Sequence, residues 1–297
     1  MELLHIHKDT WAAVGATALI PFYRLTDTDI VLLDTGIAAS DREGLTALLE
    51  EHGLHPKGIL CSHAHYDHVG NAAYLRCRYG CPIAMPMIEA AICADATAFR
   101  ANYETLTYCT IQSMFPEECF LSDVLISPDI DHLDFCGVRF GLLPLPGHSA
   151  GQMGFITPDG TAYLADCLLG PEQLQRFKLP TIMHIARDLT VMESLRSLRC
   201  PAYVLAHKTS VTELGPVIDA NIAAIHDKGR RLLSCLTDGM TADQWLYAYC
   251  RQEGIHTHDP FRISVTQRNF LHLSGWLVDE GQVALHHDLC VSRYSKV

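Results

Sequence analysis

Residues 62–68 read Ser-His-Ala-His-Tyr-Asp-His, and no other segment constrains the chain so strongly. Three imidazoles and a carboxylate fall within six positions, directly after Lys57-Gly58-Ile59-Leu60-Cys61, which reads as a buried strand. Histidine with carboxylate is a common ligand set for Zn²⁺, and also for Fe or Mn. His63 and His65 alternate, so an extended backbone aims both to one side. Asp67 and His68 open the next helix and turn toward a second point. A single ion could not use all four groups and keep an open position, so the cluster suggests two ions. The competing reading, a polar turn with solvated histidines, fits poorly with so dense a cluster behind an apolar strand.

Three later residues extend the pattern. His148 lies in Pro144-Leu145-Pro146-Gly147-His148-Ser149-Ala150-Gly151, a turn after a strand. Asp166 ends the run Ala162–Ala165, and His207 ends Tyr203–Ala206. Each stands just past a strand's C-terminal end, where α/β folds gather their ligands. Alone, each would more often be a surface or capping residue; their shared position unites them.

In this order the residues resemble the metallo-β-lactamase superfamily: His-x-His-x-Asp-His at 63–68, the Pro-Gly-His-Ser-x-Gly turn at His148, the strand-terminal Asp166 and the final His207. The resemblance spans about residues 1–213 and implies an α/β fold, an αββα sandwich with the site along one edge. It places His63, His65 and His148 on one metal, and Asp67, His68 and His207 on a second, with Asp166 bridging. Asp34, in Asp34-Thr35-Gly36, matches a turn whose carboxylate steadies the ligand loop. The implied cofactors are two Zn²⁺, with Fe or Mn as alternatives; His65 stands where flavodiiron-type members usually carry Glu. The implied chemistry is hydrolysis by a metal-bridging hydroxide, with Asp67 or Asp166 orienting it and shuttling a proton. The catalytic core is similar to glyoxalase II-like enzymes, which points to a small-molecule ester, thioester or lactone. No basic residues that would anchor glutathione are identifiable. A phosphodiesterase or ribonuclease of the same superfamily is the alternative, and a non-catalytic binding module the third reading, opposed by the intact ligand set.

Around this centre the sequence alternates strand and helix signals. Strands are expected at 30–33, 57–61, 83–85, 138–145, 154–157, 161–165 and 203–206. Helices are expected from Ser40 or Asp41 to His52, over 68–79 with Gly80 as terminator, and over 189–198. Residues 86–131 read as a helical insertion. Residues 214–297 are expected to form a mainly helical, winged-helix-like region over 218–236, 242–252 and 266–277, with Thr241 as a cap and a β-ribbon from Val283. His184, Tyr66 and Tyr103 are candidate substrate contacts, with Tyr108 a weaker one.

The net charge of −12 argues against a nucleic-acid partner, since that binding relies on Lys/Arg neutralising phosphates. Residues 238–297 alone hold five Lys/Arg against seven Asp/Glu. No apolar run reaches the length of a membrane span. The N-terminus lacks the basic-then-apolar order of a secretory signal. The 12 scattered cysteines suit free thiols. A cytoplasmic enzyme, with a homodimer as a candidate assembly, is the expectation.

Overall fold

The first sheet of the computed structural model, which describes every residue except Glu104, runs in sequence order. Its strands are β1 (Glu2–His7), β2 (Thr10–Val14), β3 (Leu19–Arg24), β4 (Asp29–Leu33), β5 (His55–Leu60), β6 (Ile83–Pro86) and β7 (Val124–Ile126). Pairing is antiparallel as far as β4 and parallel from there to β7. The second sheet comprises β8 (His132–Phe135), β9 (Val138–Pro144), β10 (Met153–Ile156), β11 (Ala162–Tyr163), β12 (Tyr203–Leu205) and β13 (Thr209–Val211). Only β11 and β12 run parallel there.

The two-residue period of a strand explains how the layers assemble. In β4, Val31 and Leu33 enter the core between the sheets, while Ile30 and Leu32 face outward beneath helices. In and after β11, Tyr163 and Ala165 point inward while Ala162 and Leu164 point out. Both sheets are thus apolar on both faces, which requires helices on each outer side.

The outer face of the first sheet is covered by α1 (Ala38–Glu51), α2 (Tyr66–Val69), α3 (Ala72–Tyr79), α4 (Met87–Cys93), α5 (Ala96–Phe99) and α6 (Tyr108–Met114). On the other side lie α7 (Pro171–Arg176), α8 (Ile185–Ser194), α9 (Gly215–Ser234), α10 (Ala242–Glu253) and α11 (Pro260–Asp279). The ribbon β14 (Val283–Asp288) and β15 (Val291–Lys296) closes the chain. The C-terminal helices share one core with the outward side chains of β11 and β12, including Leu205, Trp245, Phe270 and Leu273. Trp245 satisfies its indole N–H on Leu232 O at 2.8 Å. None of the described helices is long and apolar enough to cross a membrane.

Several expected boundaries shift, each for a local reason. Helix α1 begins at Ala38, not at Ser40 or Asp41. Asp41 is buried one turn inside it, accepting from Ile37 N at 2.8 Å and Ala16 N at 2.7 Å. The helix expected over 68–79 is two helices broken at Gly70. A Cβ there would lie 2.6 Å from Ala38 N and 2.7 Å from Gly36 O, so only glycine allows this approach. Gly80, at φ +67°, does end α3. The 86–131 insertion is helical but returns a strand, β7, to the sheet edge. Helix α11 starts at Pro260, six residues before the apolar pattern indicates, because Asp259 accepts from Phe261 N at 2.9 Å and Pro260 occupies the first turn. Thr241 and Gln244 form a reciprocal cap on α10.

Candidate metal centre

Every candidate ligand follows a strand. His63 and His65 lie in the loop after β5, with Asp67 and His68 in the short helix α2. His148 follows β9, Asp166 follows β11 and His207 follows β12. The turns that aim them are strained. Asp34, Ala165 and Lys208 have φ of +62°, +47° and +59°, a region non-glycine residues rarely enter. Gly147 has φ +152°, and a Cβ there would meet Asp188 Oδ1 at 2.5 Å. The His148 turn is therefore built for glycine.

The side chains form two groups. Nitrogens of His63, His65 and His148 converge with an Asp166 oxygen, and Asp67, His68 and His207 form the second set, with ligand atoms of each group within 4.8 Å of one another. His63 Nε2 and His148 Nε2 both lie 2.9 Å from His65 Nδ1. Asp166 touches both groups. Its Oδ2 is 3.4 Å from His148 Nε2 and 3.3 Å from His207 Nε2, while its Oδ1 is 3.3 Å from His68 Nε2.

Two observations test whether divalent cations fit. Asp166 Oδ1 and His68 Nε2, 3.3 Å apart, are buried with no partner in hydrogen-bond geometry among the described residues, although buried polar atoms are almost always paired. The outward ring nitrogens are also held in a ligating tautomer. His68 Nδ1 lies 2.7 Å from Asp34 Oδ2, so that nitrogen keeps its proton and Nε2 is the one a cation can take by displacing the proton it holds. His63 Nδ1 is likewise 2.9 Å from Ser62 Oγ, which donates to Asp34 Oδ2 at 2.6 Å. The donor set fits.

Electrostatics divide the groups. Burial, reinforced by the neighbouring imidazoles, holds His63 and His65 well below the usual histidine range. Burial brings His148 down to about 4, despite the pull of Asp166. In the second group, Asp166 pushes His207 up to about 9. For His68, burial acts downward, but the carboxylates of Asp166, Asp34 and Asp67 outweigh it and raise the ring. Burial would raise Asp166 too, yet His207, His68 and His148 hold it well below the carboxylate range. Asp67 is raised, because burial exceeds the pull of His68.

Two buried acids organise the ligands. Asp34 accepts from Ser62 N at 2.7 Å and Tyr163 OH at 2.5 Å, besides its contacts with Ser62 Oγ and His68. Glu89, fully buried at the start of α4, accepts from Ala64 N at 2.9 Å, Ser149 Oγ at 2.8 Å and Gly151 N at 2.6 Å. It ties the His63–His65 loop to the His148 turn. The sequence reading missed it; the only sign was a lone acid in the apolar run Met87–Cys93.

The groups open into a cavity of about 680 Å³, walled by Leu179, Ile182, Met192, Ile225 and Phe261 among others. Tyr66 and Tyr103, the tyrosines singled out as candidate substrate contacts, line it. Tyr66 packs edge-on against Phe261, and burial pushes its phenol up to about 12. Tyr103 stacks on Phe115. His184 is not brought to the cavity: its exposed ring accepts from Arg187 N at 3.3 Å and caps α8. Its main chain still braces the site, donating to Gly147 O at 2.9 Å. Tyr108 is exposed, 3.0 Å from Gln112 Nε2. Cavity residues that sequence reasoning missed are Asp188, Lys208 and Arg268. Arg268 comes from α11 and donates to Asn102 O at 2.5 Å; its charge helps depress His65 and His148.

Comparison with known proteins adds to this geometry. A family model described as the metallo-beta-lactamase superfamily matches residues 21–207. The hydroxyacylglutathione hydrolase GloC of Haemophilus influenzae is 28% identical over 190 residues, which cover 64% of this chain and 84% of that protein. A hydroxyacylglutathione hydrolase of Vibrio cholerae is 30% identical over 142 residues, 48% of this chain but only 43% of the relative. Among solved structures, a metallo-beta-lactamase family protein from Thermus thermophilus superposes with a TM-score of 0.72 at 19% identity, covering 94% of each chain. That last likeness speaks to the fold, and it extends through the C-terminal helices.

Proposed function

Because the chain belongs to the metallo-beta-lactamase superfamily, we propose that it hydrolyses a small-molecule ester, thioester or lactone at a centre of two divalent cations, zinc first among them. The observation that carries this reading is the placement of Asp166 between the two ligand groups, where it lines a cavity with apolar walls. His63, His65 and His148 would hold one ion, Asp67, His68 and His207 the other, with Asp166 shared. When bound, such ions lower the pKa of a water toward ~7 and polarise a substrate oxygen.

The chain's own residues supply the rest. Asp166, kept ionised by its histidines, is suited to remain a ligand throughout. Asp67, whose carboxyl binds a proton more readily, is suited to accept a proton at a carboxyl oxygen and return it to the leaving group. Asp34 and Glu89 fix the ligand loops, limiting the rearrangement needed during reaction. Leu179, Ile182, Met192 and Phe261 exclude water from the substrate's apolar part. The relatives' names point the same way, since two are called hydroxyacylglutathione hydrolases.

The test is a panel of thioesters, lactones and phosphodiesters offered to metal-loaded protein. Turnover of a thioester or lactone that vanishes on chelation and returns with zinc is expected. Turnover of phosphodiesters alone would overturn the substrate class.

A further inference from the structure

One cavity wall carries a buried group that the hydrolytic reading leaves without a task. Asp188, on α8, is 1% exposed and lines the cavity beside Ile182 and Met192. Neither carboxyl oxygen has a hydrogen-bond partner among the described residues. The main-chain N–H of His148 acts on the carboxyl without meeting hydrogen-bond geometry. A buried polar group in this condition is costly, and a ligand that supplies the missing donor relieves the cost. The donor should be uncharged, because Ile182, Met192 and other apolar side chains wall this part of the cavity and a cation would lose its hydration there.

We propose that Asp188 is a specificity-determining residue that accepts an uncharged O–H or N–H donor on the acyl part of the substrate, whose apolar remainder lies along Leu179, Ile182, Met192 and Ile225. This rests on the hydrolase reading. A site built to pair a substrate donor rejects the analogue that lacks it more strongly than an apolar wall can, because the buried acceptor is then left unsatisfied.

The experiment compares N-acetylcysteamine thioesters of butanoate, 3-hydroxybutanoate and N-acetylglycine with metal-loaded wild type, Asp188→Asn and Asp188→Leu. Wild type should favour a donor-bearing acyl group by about tenfold or more in kcat/KM, mainly through KM; the arm favoured identifies the donor as O–H or N–H. Asp188→Asn, whose amide oxygen still accepts, should keep most of the preference. Asp188→Leu, which keeps the branched outline but accepts no hydrogen bond, should bind metal as wild type does and lose the preference. Equal turnover of all three esters by wild type would overturn the proposal, as would a preference retained in Asp188→Leu. Loss of metal in both variants would also overturn it, assigning Asp188 to support of the His148 turn. If wild type cleaves no thioester, the hydrolase reading fails separately. Calorimetry then decides the subsite: tighter binding of 3-hydroxybutanamide or N-acetylglycinamide than of butanamide, lost in Asp188→Leu, supports it, and equal binding contradicts it.

Discussion

The two ligand groups are made of the same residue types yet rest in opposite protonation states. In the first, burial and crowding hold His63, His65 and His148 low, so their lone pairs are exposed at neutral pH. In the second, carboxylates around His68 and His207 hold protons that a cation must displace. What differs is the carboxylate share: one acid joins three histidines in the first group, while Asp67, Asp166 and Asp34 surround His68. Fixed carboxylates act as proton traps when no cation is present, and as charge compensation when one is.

The contrast can be broken most forcefully at the residue the groups share. Asp166→Ala should empty both, with metal content falling below one ion per chain and hydrolysis lost; metal analysis that still finds two ions would show the groups to be independent. Asp67→Ala touches only the second group and removes the proposed proton acceptor, so kcat should fall by about 10²–10⁴-fold, with the first ion retained. Glu89→Gln strikes the opposite side. It loosens the loops of His63, His65 and His148, and should weaken first-site affinity by roughly 10–100-fold while leaving the second, as competition with a chromophoric chelator can show.

Acidity sharpens the same comparison. A protonated imidazole cannot ligate. His207, raised to about 9, must release a proton on binding, so second-site affinity should rise as pH climbs toward that value. His148, at about 4, stays neutral until far lower pH. Dialysis of the metal-loaded protein at successively lower pH should therefore strip the second ion before the first. Simultaneous loss would refute the division. The smallest effect lies outside the site, where burial raises Glu118 in the insertion to about 7 from 4.5. The folded state then binds the proton more tightly than the unfolded one, so the contribution to stability is full below about 4.5 and fades as pH rises through about 7. Glu118→Gln should remove that decline in urea midpoints measured across the range.

The sequence displayed the parts of the site that are dense or repeated, and hid those that are solitary. Four ligand-type residues within 63–68 cannot easily be anything else, and His148, Asp166 and His207 share one position relative to their strands. Glu89 and Asp188 are single acids on helices, where the ordinary expectation is a solvated face; only the tertiary fold buries them. Arg268 reaches the cavity because α11 packs back toward Asn102, a long-range docking that local pattern does not encode. His184 misled for a related reason. Its position beside the site is real, but its ring is turned out to cap α8. The strands β4 to β6 and β9 to β12 follow apolar runs, whereas β7 lies inside a stretch that reads as helical and β13, Thr-Ser-Val, carries no apolar run.

The central claim, a paired-cation hydrolytic centre, is tested most directly by adding zinc to chelator-stripped protein while following uptake and thioester hydrolysis together. No turnover without metal, binding of two ions per chain, and activity that saturates by the second equivalent are expected. Undiminished hydrolysis by the stripped protein, or uptake that stops below one ion per chain, would contradict it.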